Sequence, residues 1–486
     1  MLEQLKNLKS YEVFKYFKEM NEIPRGSGNE KAISDWLVDF AKKHGLDYTQ
    51  DEALNVIIRK PGTKGYENSP TVVLQGHMDM VCEKNTDTVH DFEKDPIKFI
   101  VEGDTLRADG TTLGADNGIA LAFGLAILAS NDVDHAPLEL LATTDEEAGM
   151  GGAQSLDPKN ISGRILINID SEEEGILLVS CAGGVRQVIS LPVVKEAACS
   201  ECERKVVKIR GLKGGHSGME INKERGNSNK LMGRFLEDLR KTVNFKLASI
   251  DGGAKMNAIP RESDAVVLVK PNDVAALEAK VKEWNEVFKV ELNAQDPDVT
   301  LTVENFDGKV EEVFTAETTE KIINIIMLIP NGIQTMSMAI KGLVESSNNL
   351  GVIITEDNCV KFENCVRSSV RTLKEQINAV GTIISKMTGA EVEFISDYPA
   401  WQYRPDSKLR DTFVSVFEKT FGNKPEISAI HAGLECGLFG GKFGSDMDMI
   451  SFGPNIYDVH TPDEHISIES TDRMYQYLVE VLKDLK

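Results

Sequence analysis

Five short segments hold the residue types that hydrolytic or metal chemistry would need. The first, Gly76-His77-Met78-Asp79, follows the apolar run Thr71–Leu74. His77 and Asp79 are two apart, so an extended backbone puts both on one side. That suits a metal-binding imidazole with a carboxylate behind it to fix its tautomer. The second, Gly114-Ala115-Asp116-Asn117-Gly118, opens an apolar helical stretch. Asp116 reads either as a helix N-cap or as a carboxylate bridging two cations. The third, Thr144-Asp145-Glu146-Glu147-Ala148-Gly149, follows Leu138–Ala142. Adjacent acids at a strand end repel one another unless cations sit there, and the plain alternative is a solvated acidic turn. The fourth, Asn168-Ile169-Asp170-Ser171, puts Asp170 at the end of Ile165–Ile169, where α/β folds place ligands. Glu172–Glu174 read as solvated charges. The fifth is the run from Tyr457 to His465, just before a terminal helix. His460 is its candidate ligand, and His465 reads as a loop histidine.

Each segment alone has an ordinary structural reading; their combination does not. Three successive strands end in metal-ligand residue types. Two histidines with several carboxylates favour zinc, cobalt or manganese over calcium, which prefers all-oxygen cages. One carboxylate beyond those needed as ligands would serve as general base.

The elements that must position these residues follow from the pattern. Over 1–186, short apolar strands alternate with helices at Tyr11–Met20, Asn29–Lys43 and Gly118–Ser130. That predicts an α/β catalytic domain with a mostly parallel sheet. Over 187–397 the texture becomes α+β. Lys205–Arg210, Asn229–Val243, Phe245–Ile250, Ala265–Val269, Asp273–Val287 and Asp298–Glu304 read β-α-β-β-α-β. A comparable series follows: a helix over 316–327, strands near 350–355 and 366–372, a helix over 373–388 and a strand over 391–396. Over 398–486 the α/β texture returns. The expectation is one discontinuous catalytic domain, 1–186 with 398–486, interrupted by an inserted lid of two β-α-β-β-α-β halves.

Composition narrows the function classes. The chain has 486 residues and a formal net charge of −23, which disfavours nucleic acid and anionic membrane as partners. The longest apolar stretch, Gly118–Ala129, is too short to span a bilayer. The N-terminal MLEQLKNLKSYEVFKYF lacks a signal-peptide core. These features predict a cytoplasmic enzyme. Seven cysteines do not suggest a disulfide framework. Cys199-Ser-Glu-Cys202 is a lone C-x-x-C that could be a thiolate metal site or a redox pair; with no second C-x-x-C, its flanks read rather as a strand-edge loop.

Taken in order, GHMDMVCEKN, GADNGIA, TTDEEAGMGGA, LINIDSEE and DVHTPDEH resemble the metal-site segments of the M20 metallopeptidases. GHMDMVCEKN, EEAGM and HAGLECGLF resemble the aminoacyl-histidine dipeptidases within that family. The resemblance implies two divalent cations bridged by Asp116, zinc first, with cobalt or manganese as alternatives. One cation would also be held by His77 and Asp170, the other by Glu147 and His460. Asp79 would orient His77, and Glu146 would be the general base for metal-activated water. The bond after Asp116 would be cis. His216, in Gly214-Gly215-His216-Ser217-Gly218, would stabilise the oxyanion. Asn257 and Arg367 would hold the substrate, Arg367 by its terminal carboxylate. His431, Gly433 and Glu435 would line the α-amine side. The implied activity is hydrolysis of unblocked dipeptides, Xaa-His or broader. The alternatives are tripeptidase, carboxypeptidase or N-acyl amino acid hydrolase activity, or a non-catalytic peptide-binding relative. A small peptide is the expected partner, and a homodimer is not required to complete the site.

Overall fold

The computed structural model describes residues 2–486. Its chain divides into two compact units. The first comprises residues up to Cys181, Trp401–Ala429 and Leu434–Lys486; the second comprises Ala182–Ala400 and Ile430–Gly433. No helix among the described residues is long and apolar enough to cross a membrane.

The first unit is built on an eight-stranded sheet. In spatial order its strands are Asp47–Gln50, Val56–Lys60, Leu138–Thr143, Val72–His77, Ile165–Asn168, Asp448–Ser451, Ile176–Cys181 and Glu426–Ile430. The strands Leu138–Thr143 and Val72–His77 are buried at every position, which their continuous apolar runs require. Four neighbouring strands, from Leu138–Thr143 to Asp448–Ser451, run parallel. Val56–Lys60 and Ile176–Cys181 flank them antiparallel. The sheet is therefore mixed, which corrects the expectation of a mostly parallel one. Apolar patterning reports burial but carries no strand direction, so Val56–Ile58 reads like any other buried strand. The helix Ala115–Ala129 is buried over nearly its whole length, and this suits its apolar sequence. A four-stranded sheet includes the antiparallel pair Ile456–Tyr457 and His465–Ser467, whose connecting loop carries His460.

The second unit carries a nine-stranded sheet over helices Ser228–Leu239, Val274–Glu291, Ala316–Leu328 and Arg371–Thr388. The core between them includes Phe235, Phe288, Ile322, Ile326 and Phe362. The strand expected near 366–372 lies earlier, at Cys359–Ser368, and the following helix begins at Arg371. Polar residues on that strand's buried positions, such as Asn364 and Ser368, hide its period. Cys199 and Cys202, read as a plain strand-edge loop, are joined as a disulfide.

Candidate metal centre

Three strand ends and one loop of the first unit bring the sequence candidates together. His77 ends the strand Val72–His77, Glu146 and Glu147 follow Leu138–Thr143, and Asp170 follows Ile165–Asn168. His77, Asp116 and Asp170 each offer a ligand atom to one cluster; Asp116, Glu147 and His460 do so to a second. Within each cluster these atoms lie within 4.8 Å of one another. Asp116 belongs to both. Its Oδ1 lies 3.1 Å from His77 Nε2, and its Oδ2 lies 3.1 Å from His460 Nε2. Asp170 Oδ1 is 3.7 Å from His77 Nε2, and Glu147 Oε1 is 3.1 Å from His460 Nε2. Two donors on one tetrahedral zinc, at about 2.0–2.1 Å each, stand about 3.4 Å apart. The donor set fits a pair of divalent cations in both chemistry and spacing.

Electrostatics point the same way. Asp116 is driven down despite its burial, by hydrogen bonds to and charges on His460 and His77. Hydrogen bonds to Asp116 and Glu147 raise His460 to about 11. Burial pushes Glu146 up to about 8, with Glu435 and Glu147 adding to the effect against His77. Burial also lifts Asp170 well above the carboxylate range. So many acids in a buried site hold protons unless other cations replace them.

Asp79 stands behind His77. Its side chain is 3.4 Å from His77 Nδ1, and it accepts from Ser27 Oγ and the amides of Glu146 and Glu147. Its carboxylate thus ties the His77 strand to the acidic turn. The bond between Asp116 and Asn117 is cis. The N-cap reading of Asp116 is replaced by another arrangement. Gly114 precedes the helix Ala115–Ala129, and the Glu464 carboxylate takes the free amides at that end. The Asp116 side chain is left for the two imidazoles. Glu464 and the buried Arg25 were not singled out in the sequence; charged residues within DVHTPDEH and EIPRGSG carry no periodic signal of burial. His465, expected as a loop histidine, instead begins the strand His465–Ser467, where its Nδ1 lies 2.9 Å from Asp463 O.

Glu435 is fully buried in the first unit. One oxygen accepts from Gln75 Nε2 at 2.5 Å and Thr143 Oγ1 at 2.9 Å. The other oxygen has no hydrogen-bond partner. Burial, opposed by the charge of His77, pushes this carboxyl up to about 7.

The second unit holds His216, Asn257, Arg367, His431 and Gly433. His216 lies on a short strand paired with Ala258–Ile259. Its Nδ1 accepts from the amides of Gly218 and Met219, which leaves the proton on Nε2. Burial and the charge of Arg367 lower its pKa, so the ring is a neutral donor. A Cβ at Gly218 would meet His431 O at 2.5 Å, His216 Cε1 at 3.1 Å and Arg367 Nε at 3.3 Å. Arg367 is 7% exposed, donates to Tyr398 OH and keeps a buried Nε with no hydrogen-bond partner. His431 Nε2 lies 2.7 Å from Ser347 Oγ, and burial lowers its pKa to about 3. Asn257 is exposed between Met256 and Ala258, whose carbonyls are both held by Asn349 Nδ2. Gly433 lies next to Ala432, whose carbonyl accepts from Ala182 N.

The profile of peptidase family M20/M25/M40 matches residues 73–484. The cytosol non-specific dipeptidase of Escherichia coli (strain K12) is 39% identical over 484 residues, covering 100% of this chain and 99% of that one. The crystal structure of aminoacylhistidine dipeptidase from Vibrio alginolyticus superposes with a TM-score of 0.94 at 38% identity. It covers 99% of this chain and 98% of its own. Aminopeptidase PepT from Bacillus cereus ATCC 10987 has a TM-score of 0.57 at 14% identity, over 98% of this chain and 99% of its own, a likeness of fold.

Proposed function

The chain belongs to peptidase family M20/M25/M40, and from that premise we propose that it hydrolyses unblocked dipeptides, Xaa-His among them, with two divalent cations. One observation carries the reading. The two oxygens of Asp116 face different imidazoles, His77 and His460, as a carboxylate shared by two cations requires. His77 and Asp170 would complete one cation's protein ligands, and Glu147 and His460 the other's. Zinc is our first choice on donor type, with cobalt and manganese next. The cations would supply Lewis acidity and a water acidic enough to lose a proton near neutrality.

The remaining chemistry belongs to side chains of this protein. Glu146 takes the proton of the attacking water and passes it to the leaving amine. Burial among other acids raises its proton affinity, and two bound cations would lower it again towards that of a working base. Asp79 keeps the His77 ring turned so that Nε2 faces Asp116. His216 donates Nε2–H to the oxyanion that forms from the substrate carbonyl. Arg367 pairs with the substrate's terminal carboxylate, for which a guanidinium fork is well shaped. Asn257 hydrogen-bonds the substrate backbone. Glu435, whose second oxygen lacks a donor, takes the α-ammonium, with His431 and Gly433 lining that side. A charged partner for each substrate terminus favours unblocked peptides over blocked ones. The relative's name, cytosol non-specific dipeptidase, supports action in the cytoplasm.

Substrate-length profiling tests this reading. Free dipeptides, including β-alanyl-histidine and several Xaa-His, should turn over with kcat/KM at least about ten-fold above tripeptides and N-blocked dipeptides. Preference for blocked or longer substrates would reject it in favour of another activity of the family.

A further inference from the structure

We infer that Arg25 and Glu464 are positioning residues. Together they form a charged clamp that sets the Leu113–Asp116 turn, and so the Asp116 carboxylate, before any cation binds. The inference rests on the metal-centre reading for its purpose, though not for its geometry.

Both side chains belong to the first unit, and each is 2% exposed. Glu464 Oε2 accepts from Leu113 N at 2.8 Å and Gly114 N at 3.1 Å. Its Oε1 accepts from Ala115 N at 2.8 Å and Asp116 N at 3.4 Å. Four successive amides of the turn before the kink at Asp116–Asn117 therefore converge on one carboxylate, an arrangement in which the amide dipoles favour the negative charge. Arg25 grips the same turn from its carbonyl side. Its Nη2 donates to Gly114 O at 2.6 Å, and its Nη1 donates to Met78 O at 2.9 Å and Asp79 O at 3.3 Å. The anion and the cation thus meet through the Gly114 peptide.

This device reaches three ligand segments. Arg25 fixes the backbone that follows His77. Both residues fix the turn that ends in Asp116. Glu464 belongs to the loop that carries His460, four residues earlier. Gly114 has a φ of +71°, and a Cβ there would run into Arg25 Nη2 and lie 2.8 Å from Met80 Sδ. A Cβ at Gly118 would meet Arg25 Nη2 at 2.6 Å. The two glycines around Asp116 make room for the guanidinium. Taking both charges out of water is costly unless hydrogen bonds replace hydration, and here backbone groups of the ligand turns supply most of those bonds.

Hydrogen exchange on the metal-free full chain tests the clamp without any variant. The amides of 113–116 should be protected to within about ten-fold of those in the core strand Val72–His77. Exchange there as fast as in an exposed loop would overturn the inference. Metal titration of the chelator-treated Glu464→Gln chain adds a second readout. An amide offers one acceptor oxygen where the carboxylate offers two. Zinc affinity should fall about 10- to 100-fold, and the 113–116 amides should lose at least ten-fold protection. At saturating zinc, KM for a dipeptide should stay within two-fold of wild type. Wild-type zinc affinity in a folded Glu464→Gln chain would overturn the inference while leaving the dipeptidase reading intact. Failure of the wild-type chain to bind zinc would instead strike that reading, with the exchange measurement still deciding the clamp.

Discussion

Replacing Asp79 by Asn separates the orienting role of that residue from simple packing, because the two side chains have nearly the same shape. In the native chain the carboxylate accepts from Ser27 Oγ at 2.8 Å and from the amides of Glu146 and Glu147 at 3.1 and 3.2 Å. An Asn has one acceptor oxygen, so one of the two amides faces an NH2 group whichever way it is turned. Leaving a buried N–H unpaired costs about 1–3 kcal/mol. A second route gives the same scale. Burial alone would raise the Asp79 pKa, but the hydrogen bond and charge of His77, with Ser27 and the Glu146 amide, bring it from 3.8 down to about 2. That depression is equivalent to roughly 2 kcal/mol of stability. The folded-state pKa lies below the unfolded one, so this stability is present above pH 3.8 and is lost as pH falls towards about 2. Urea unfolding of the metal-free Asp79→Asn chain should therefore show a loss of about 2 kcal/mol at pH 7 that shrinks towards pH 2. Calorimetric titration should show zinc bound about 10- to 100-fold more weakly, because the support behind His77 is gone. Wild-type zinc affinity in this variant would refute the orienting role.

Glu146→Gln should keep zinc bound while lowering kcat by about 10²- to 10⁴-fold in a steady-state dipeptide assay, the range for losing a general base. His216→Ala should lower kcat by about 10²- to 10³-fold with zinc content unchanged, as for one lost oxyanion donor. His431 is held neutral with a pKa of about 3, against 6.5 for an ordinary histidine. The unfolded chain binds more protons between those values, so stability falls as pH drops below 6.5. The wild type should lose about 2 kcal/mol more than His431→Gln between pH 7 and pH 5, measured by denaturant unfolding.

The candidate metal-site residues stood out because their types recur at the ends of apolar runs. Val72–His77, Leu138–Thr143 and Ile165–Asn168 declare themselves as buried strands, and an acid or imidazole at a strand end is a local signal. Strand direction was not legible. The pairing of Val56–Lys60 with Leu138–Thr143 is antiparallel, and nothing in either run of side chains encodes that. Arg25 and Glu464 were missed for a related reason. Each is a charged residue in a loop, where exposure is the ordinary expectation. Their burial depends on backbone groups 50 or more positions away, such as Met78 O for Arg25 and Leu113 N for Glu464. The Cys199–Cys202 link matches the redox-pair reading of the C-x-x-C, which sparse cysteines made the less favoured one. His216 and Arg367 were found through the family resemblance of short motifs; their closeness to Gly218 became visible in the fold.

The proposed sharing of Asp116 by two cations makes peptide hydrolysis by this chain depend on both. Its most direct test is zinc titration of chelator-treated protein with dipeptide turnover measured at every step. Activity should be absent without metal and should rise to its maximum as the second equivalent of zinc binds. Full turnover in metal-free protein, or a maximum at one equivalent, would contradict the account.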